Sequence, residues 1–253
     1  MKEGDKQELE RIIRRAGESI LSFWPPRRQS QMAVYEKDDG SPVTEADFAS
    51  NKILNEGIRG IFPDDGIVSE EGTENEKQRA YECVWIIDPL DGTRWFLEGL
   101  DQFCVIVART QRGQVNYGAM YFPVLNLFAT AVRGAGAQLN GAALNVSTQR
   151  GWNEERLYFR GLTLRGVDNR NEGKINSGLA FLKLCRGELD GVVLEASRFG
   201  EHDVAAPAIL VAESGGQVTD EAGNEITFNH ERIPYRLFVA SNGLVHGELL
   251  GRV

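Results

Sequence analysis

An apolar strand that runs directly into two aspartates constrains this chain more than any other segment. Residues 85–91 read WIIDPLD, so Asp88 ends a run of side chains that belong in a protein core. A buried carboxylate is costly unless a cation or hydrogen bonds meet it. Pro89 fixes φ and removes a backbone donor. Because Asp91 comes three residues after Asp88, a tight turn is predicted to bring both carboxylates to one side.

The residues after this turn predict an anion site. Gly92 tolerates unusual backbone angles, and a short helix that begins there would direct the N–H groups of Gly92, Thr93 and Arg94 outward. Carboxylates for a hard cation beside amides for a phosphate are what metal-assisted phosphoryl transfer requires. A D-P-x-D-G segment is also a good surface turn. This segment alone therefore leaves both interpretations open.

Three further acidic segments occur along the chain: VTEAD (43–47), VSEEG (68–72) and HDVAA (202–206). Each has an ordinary explanation when taken alone. Asp47 lies in the predicted first turn of a helix, where the dipole favours an acid, and Asp203 suits a helix start for a similar reason. Glu70 and Glu71 are typical of a solvated loop. The occurrence of all four segments together favours one shared metal site.

The hydrophobic pattern predicts alternating helices and groups of strands. Helices are predicted over 8–24, from an N-cap at Thr44 to about Phe62, and over 177–186, 203–213 and 244–250. Strands are predicted over 67–70, 83–88, 103–110, 115–122, 127–133, 190–196 and 236–241, with an antiparallel meander in the middle. This alternation indicates a layered α/β or α+β fold. We expect one unit over 1–253, with possible subdomains 1–145 and 146–253, while residues 145–175 are too polar to assign.

Charge and composition exclude several classes of partner. The chain has 37 acidic and 28 basic residues, a net charge of −9, which argues against binding a nucleic-acid polymer or an anionic membrane surface. The longest aliphatic-rich stretch, 103–108, is far shorter than the ~20 residues of a membrane helix.

The N-terminus lacks the apolar region of a secretory signal, and the scattered Cys83, Cys104 and Cys185 suit reduced, mostly buried thiols. We therefore expect a cytoplasmic protein. A small anionic substrate remains possible because a metal ion reverses the local field.

Four motifs in order resemble the inositol monophosphatase superfamily of Mg²⁺-dependent, often lithium-sensitive phosphomonoesterases. They are SPVTEAD (41–47), FPDDGIVSEEG (62–72), WIIDPLDGT (85–93) and DVAAPAILVAESGGQVTD (203–220). The resemblance spans about residues 37–243. It implies a layered αβαβα sandwich of the inositol monophosphatase and fructose-1,6-bisphosphatase type, and hydrolysis of a small phosphorylated metabolite. It also implies two or three Mg²⁺ ions and a possible homodimer.

The same resemblance assigns roles to individual residues. Glu70, Asp88 and the Leu90 carbonyl are the implied ligands of the first metal, and Asp88, Asp91 and Asp203 those of the second. A third, weaker ion would share Glu70. Asp47, Glu70 and Thr93 are the implied catalytic residues, with Thr93 and Asp47 orienting and activating the attacking water. The amides of Gly92 and Thr93 would hold the phosphate.

Several positions depart from the inositol monophosphatase branch. That branch has Thr-Asn-Phe where this chain has Arg94-Trp95-Phe96, a tryptophan at His202, and an inositol-contacting glutamate at Ala196. LEGLDQFCV (97–105), AMYFPVLNLFATAVRG (119–134) and RFG (198–200) are instead similar to 3′(2′),5′-bisphosphate nucleotidases. Arg94 or Arg198 would then bind the second phosphate. An inositol-1-monophosphatase, a histidinol-phosphate phosphatase and a catalytically silent metal-dependent assembly protein remain the alternatives.

Overall fold

The computed structural model describes residues 1–25, 33–36, 42–73, 75–151, 153–171 and 173–253. Within these ranges the helices are α1 Glu3–Leu21, α2 Glu45–Ile61, α3 Asn75–Gln78, α4 Thr93–Leu97, α5 Ser177–Cys185, α6 Glu201–Glu213 and α7 His246–Leu250. The strands are β1 Val34–Glu36, β2 Pro42–Thr44, β3 Gly66–Ser69, β4 Cys83–Asp91, β5 Cys104–Gln111, β6 Gln114–Phe122, β7 Leu127–Val132, β8 Gly136–Leu139, β9 Ala142–Ala143, β10 Leu157–Arg160, β11 Gly191–Glu195, β12 Gln217–Thr219 and β13 Leu237–Ser241. None of the helices in the described ranges is long and apolar enough to cross a membrane.

Two large sheets and three helical layers alternate, which confirms the predicted αβαβα sandwich, and β1 and β2 form a separate two-stranded antiparallel sheet. The larger sheet has the order β3-β4-β5-β6-β7-β8-β9, and the smaller has the order β10-β11-β13-β12. Helices α1 and α2 share a core with one face of the larger sheet. Helices α5 and α6 fill the space between the two sheets, and α7 packs on the outer face of the smaller one. The meander predicted from β5 to β7 is antiparallel throughout.

Strand β4 is continuous where the sequence predicts a tight turn. It runs to Asp91, and its register with β5 shifts between Asp88 and Asp91. A proline cannot donate to a sheet ladder, so it suits a bulge, and the Pro89 carbonyl instead accepts a bond of 2.7 Å from the Ser50 hydroxyl. The predicted turn is therefore wrong, because a bulge reorients the chain without ending the strand.

The bulge has a direct consequence for the direction of the two aspartates. In a regular strand, residues three apart point to opposite faces. Here Trp85, Ile87 and Leu90 lie on the α1/α2 side, whereas Asp91 pairs with Cys104, which faces α5 and α6. The register shift thus lets Asp88 and Asp91 share the face toward α6.

The other predicted elements are close to those observed, with shifts at their ends. Helix α1 starts five residues before the predicted 8–24 segment and ends before the prolines. Thr44 caps α2 as predicted, accepting a bond of 3.2 Å from the Ala46 amide. Strand β10, inside the unassigned 145–175 region, was not predicted because its four residues LYFR lie between polar segments. Cys104 and Cys185 are buried, as expected, and Cys83 is partly exposed.

A charged network fastens β3 and β4 to β5 at the end of the sheet away from the bulge. Asp65 accepts bonds of 2.9 Å from the Trp85 indole and of 2.7 and 3.1 Å from the Arg109 guanidinium. Arg109 also lies over the rings of Phe62 and Trp85, and its side chain is only 18% exposed. Removing one partner would leave a largely buried charge without compensation.

Asp65→Ala is expected to lower the free energy of unfolding by about 3 kcal/mol, because it leaves the Arg109 charge and the Trp85 N–H without their partner. Urea unfolding followed by tryptophan fluorescence measures this loss. Asp64→Ala is the matched control, because Asp64 is exposed and surface changes cost about 0.5 kcal/mol or less. Equal midpoints for the two variants would contradict the assignment.

Candidate metal centre and active site

Four acidic side chains from separate elements meet at the end of β4. Strands β3 and β4 are parallel, so their carboxyl ends coincide, and the Glu70 amide bonds the Ile87 carbonyl at 3.0 Å. Glu70 therefore lies beside Asp88. Asp91 follows on the same strand, and Asp203 enters from the first turn of α6. The sequence-predicted acids are thus brought together.

The ligand atoms form two overlapping groups. Oxygens of Asp88, Asp91 and Asp203 lie within 4.8 Å of one another, and so do ligand atoms of Glu70, Asp88 and His202. Asp88 belongs to both groups. Two oxygens bound to one Mg²⁺ at about 2.1 Å lie at most about 4.2 Å apart, so small adjustments would suit each group to one ion.

Burial makes these carboxylates hard to ionise together. Burial, together with the charge of the neighbouring Asp203, raises the pKa of Asp91 to about 7. Burial also raises the pKa of Asp88 well above its ordinary value, with Glu70 and Asp91 adding to the rise, and burial raises the pKa of Asp203. A divalent cation would offset exactly this unfavourable charge, so the donor set fits a hard metal ion.

Asp47 and Thr93 adjoin the acidic cluster. Asp47 is buried, and its Oδ2 accepts bonds of 2.8 and 2.6 Å from the Thr44 amide and hydroxyl. Burial raises the pKa of Asp47 to about 6, although these two bonds oppose the rise. The Thr93 hydroxyl lies 3.4 Å from Asp47 Oδ1 and 3.2 Å from the Leu90 carbonyl. A carboxylate, a hydroxyl and a backbone carbonyl thus converge at the bulge.

Local sequence explains these positions. Thr44 and Asp47 form a capping box at the start of α2. The Gly200 amide holds Asp203 Oδ2 at 2.6 Å, which leaves the other oxygen for the cluster. Gly92 has φ 84°, a left-handed conformation that favours glycine, and α4 begins at the next residue. The predicted short helix is observed, with Gly92 as its N-cap and Thr93 as its first residue.

A cavity of about 560 Å³ opens beside the cluster. Its lining includes Glu70 and His202, and also Arg79, Arg232, His230, Phe199 and Ala196. Among the described residues, Ala196 belongs to this lining and the adjacent Glu195 does not. The wall therefore carries a methyl group at the position where the inositol monophosphatase branch has a glutamate. The cavity is large enough for a nucleotide-sized ligand.

The basic residues near the site differ from those singled out by sequence. Arg94 and Arg198 are exposed and, among the described residues, are not part of the cavity lining. Arg232 is exposed on the cavity wall, and Arg160 at the end of β10 lies close enough to lower the pKa of Asp91 and of Asp203. No motif marked Arg232 or Arg160, because each is an isolated charge in an unassigned segment.

Comparison with known proteins places this geometry in a family. Residues 5–250 match the profile of the inositol monophosphatase family. The chain belongs to that family. A histidinol-phosphatase of Chlorobaculum parvum is 36% identical over 87% of this chain and 87% of its own length. A 3′(2′),5′-bisphosphate nucleotidase CysQ of Aggregatibacter actinomycetemcomitans is 32% identical over 88% of this chain and 87% of its own. The structure of an inositol monophosphatase from Thermotoga maritima superposes with a TM-score of 0.79 at 30% identity, covering 99% of this chain and 96% of that one.

Membership of the inositol monophosphatase family makes the protein a phosphoric monoester hydrolase. The histidinol-phosphatase and the nucleotidase CysQ are named for different substrates, and a relative from Pseudomonas aeruginosa that is 32% identical over 92% of this chain is named Nus factor SuhB. The family therefore fixes the reaction class and leaves the substrate open.

The metal-free protein is expected to lose stability as pH rises from about 4 to about 7. The pKa of Asp91 is 3.8 in the unfolded chain and about 7 in the folded one, so the folded state binds more protons across this window. Asp91→Asn should therefore stabilise the EDTA-treated protein at pH 8 by on the order of 1 kcal/mol or more. Thermal unfolding at pH 5 and pH 8 measures both effects.

With Mg²⁺ present, wild type should be more stable than Asp91→Asn, because the substitution removes a proposed metal ligand. Wild type is expected to gain more thermal stability from Mg²⁺ than the variant does. Asp64→Asn, which removes an exposed acid, is the control and should behave as wild type. A variant that is less stable than wild type in EDTA at pH 8 would argue against a repulsive cluster.

Proposed function

We propose that this protein is a Mg²⁺-dependent phosphomonoesterase that hydrolyses a small phosphorylated metabolite with water as the nucleophile. The observation that carries the proposal is the pair of ligand groups that share Asp88, beside the Thr93–Asp47 pair. Bound Mg²⁺ would supply Lewis acidity and offset the charge on the phosphoryl oxygens. Glu70, Asp88 and the Leu90 carbonyl would hold one ion, and Asp88, Asp91 and Asp203 a second.

The protein's own groups would prepare the water. Thr93 would accept a hydrogen bond from the water and donate its own proton to Asp47 Oδ1, 3.4 Å away, instead of to the Leu90 carbonyl at 3.2 Å. Such bonds are often long before substrate binds and tighten in the complex. Asp47 then takes up the proton, and the amides of Gly92 and Thr93 hold the phosphate. No covalent intermediate with the protein is needed.

Phosphate release should depend on Mg²⁺ and on the shared carboxylates. Asp91→Asn is expected to lower kcat/KM by about two orders of magnitude or more, since removing a metal ligand removes several kcal/mol of charge stabilisation. The assay is inorganic phosphate release with Mg²⁺ and with EDTA, and Asp64→Asn should retain wild-type activity. Full activity in EDTA, or in Asp91→Asn, would refute the proposal. We also propose inhibition by lithium, as the family resemblance implies.

For the substrate, we propose a 3′(2′),5′-bisphosphorylated nucleoside such as 3′-phosphoadenosine 5′-phosphate. Phe199 on the cavity wall offers a face for a base. Arg232 on the same wall would meet a second phosphate. The apolar Ala196 at the wall favours this class over inositol phosphates, whose hydroxyls require polar partners. The CysQ relative is named for this substrate class.

Arg232→Ala is expected to lower kcat/KM for 3′-phosphoadenosine 5′-phosphate by about tenfold, because it removes a charge-assisted contact. The rate with myo-inositol 1-phosphate, which has no second phosphate, should change little. Arg236→Ala is the matched control, because Arg236 is also exposed. Arg94→Ala and Arg198→Ala test the two arginines that the sequence suggested. An equal loss of kcat/KM with both substrates in Arg232→Ala would show that Arg232 does not bind the second phosphate.

Histidinol phosphate is the second candidate substrate, favoured by the relative that is named a histidinol-phosphatase. A panel of 3′-phosphoadenosine 5′-phosphate, histidinol phosphate, myo-inositol 1-phosphate and fructose 1,6-bisphosphate separates the candidates by kcat/KM. A catalytically silent assembly role would require no turnover on this panel together with Mg²⁺-dependent stabilisation by phosphate compounds.

A further inference from the structure

One side chain at the metal centre is a nitrogen donor. A ring nitrogen of His202 lies within 4.8 Å of ligand oxygens of Glu70 and Asp88, which in turn lie within 4.8 Å of each other. The His202 Nε2 is also 3.4 Å from Asp203 Oδ2. The imidazole therefore occupies the edge of the cluster that faces the cavity.

The other two histidines have different surroundings. His246 is buried, and its two ring nitrogens lie 2.8 Å from the hydroxyls of Thr219 and Ser241. His230 lies 2.9 Å from the Thr227 hydroxyl. Among the described residues, the nitrogens of His202 have carboxylate oxygens rather than hydroxyls as polar neighbours. Carboxylates around an imidazole are the surroundings of a metal-binding histidine.

Gly200 provides the space for this ring position. A Cβ added at Gly200 would lie 2.3 Å from His202 Cε1, 2.7 Å from Nδ1 and 2.9 Å from Nε2. Gly200 has φ −104° and ψ 174°, an extended conformation open to any residue. A larger residue at this position would therefore displace the imidazole from its place, although the backbone would accept it.

We propose that His202 is a nitrogen ligand for a divalent cation held together with Glu70 and Asp88, and that this position prefers Mn²⁺ or Co²⁺ over Mg²⁺. Mg²⁺ takes oxygen ligands and keeps its waters, whereas imidazole suits first-row transition metals. The all-carboxylate group of Asp88, Asp91 and Asp203 remains a site for Mg²⁺. The inference rests on the proposed metal centre and adds a nitrogen ligand to the position held by Glu70 and Asp88, which makes its two positions chemically different.

The experiment uses Mn²⁺ alone as the probe on the full chain, labelled with ¹⁵N-histidine and freed of metal with EDTA. Pulsed electron paramagnetic resonance detects ¹⁵N bonded directly to Mn²⁺. We expect this coupling in wild type and in His230→Asn, the matched control from the same cavity wall, and its loss in His202→Asn. Equilibrium titration should show the ratio of Mn²⁺ to Mg²⁺ affinity falling by about tenfold or more in His202→Asn.

Gly200→Ala supplies an independent variant that keeps the imidazole. Its methyl group displaces the ring while the amide that holds Asp203 is retained, so the nitrogen coupling should also fall. A wild type without directly bound ¹⁵N, or an undiminished coupling in His202→Asn, would overturn the inference. An active Mg²⁺-dependent phosphatase with oxygen-only Mn²⁺ coordination would refute this inference and leave the proposed function intact. Nitrogen coordination without phosphatase activity on the substrate panel would support this inference and refute the proposed function.

Discussion

The burial of Asp88 at the end of an apolar strand is the constraint on which the site depends. Its carboxylate is 2% exposed and has acidic side chains as close neighbours. The Leu90 amide donates a bond of 2.9 Å to Asp88 Oδ1, but one hydrogen bond offsets only part of the cost of burying a carboxylate among other acids, so the stability of the sandwich comes from elsewhere. The apolar layers on both faces of the larger sheet supply it. The acidic site is thus locally destabilising, and the apolar core compensates for it.

The sequence predicted those features that depend on short-range patterns. Apolar periodicity predicted the main helices and the central meander, and the acidic motifs predicted Glu70, Asp88, Asp91 and Asp203 as site residues. These predictions succeed because each motif lies at the start or end of an element whose pattern is strong. The layered arrangement followed from the alternation of elements together with the family resemblance.

The features that were not predicted depend on contacts between distant segments. The bulge at Pro89 and Leu90 is set by pairing with β5 and by Ser50 from α2. Strand β10 forms because it pairs with β11, since its own four residues carry little signal. Arg232 and Arg160 reach the site only through the folding of the polar segments around them. A single sequence contains no local sign of such long-range positions.

The bulge in β4 also separates the residues that would carry the reaction from those that line the rest of the cavity. It takes Leu90 out of the regular ladder, so a backbone carbonyl of the central sheet adjoins the reacting groups. The reacting groups are therefore built on the central sheet, whereas the opposite wall of the cavity is formed by residues 196–197, 199–200 and 230–233 from the segments between strands and helices. Changes in those segments can alter which metabolite is accepted without disturbing the sheet. A division of this kind would let one scaffold diverge toward several phosphorylated compounds while its hydrolytic step stays the same.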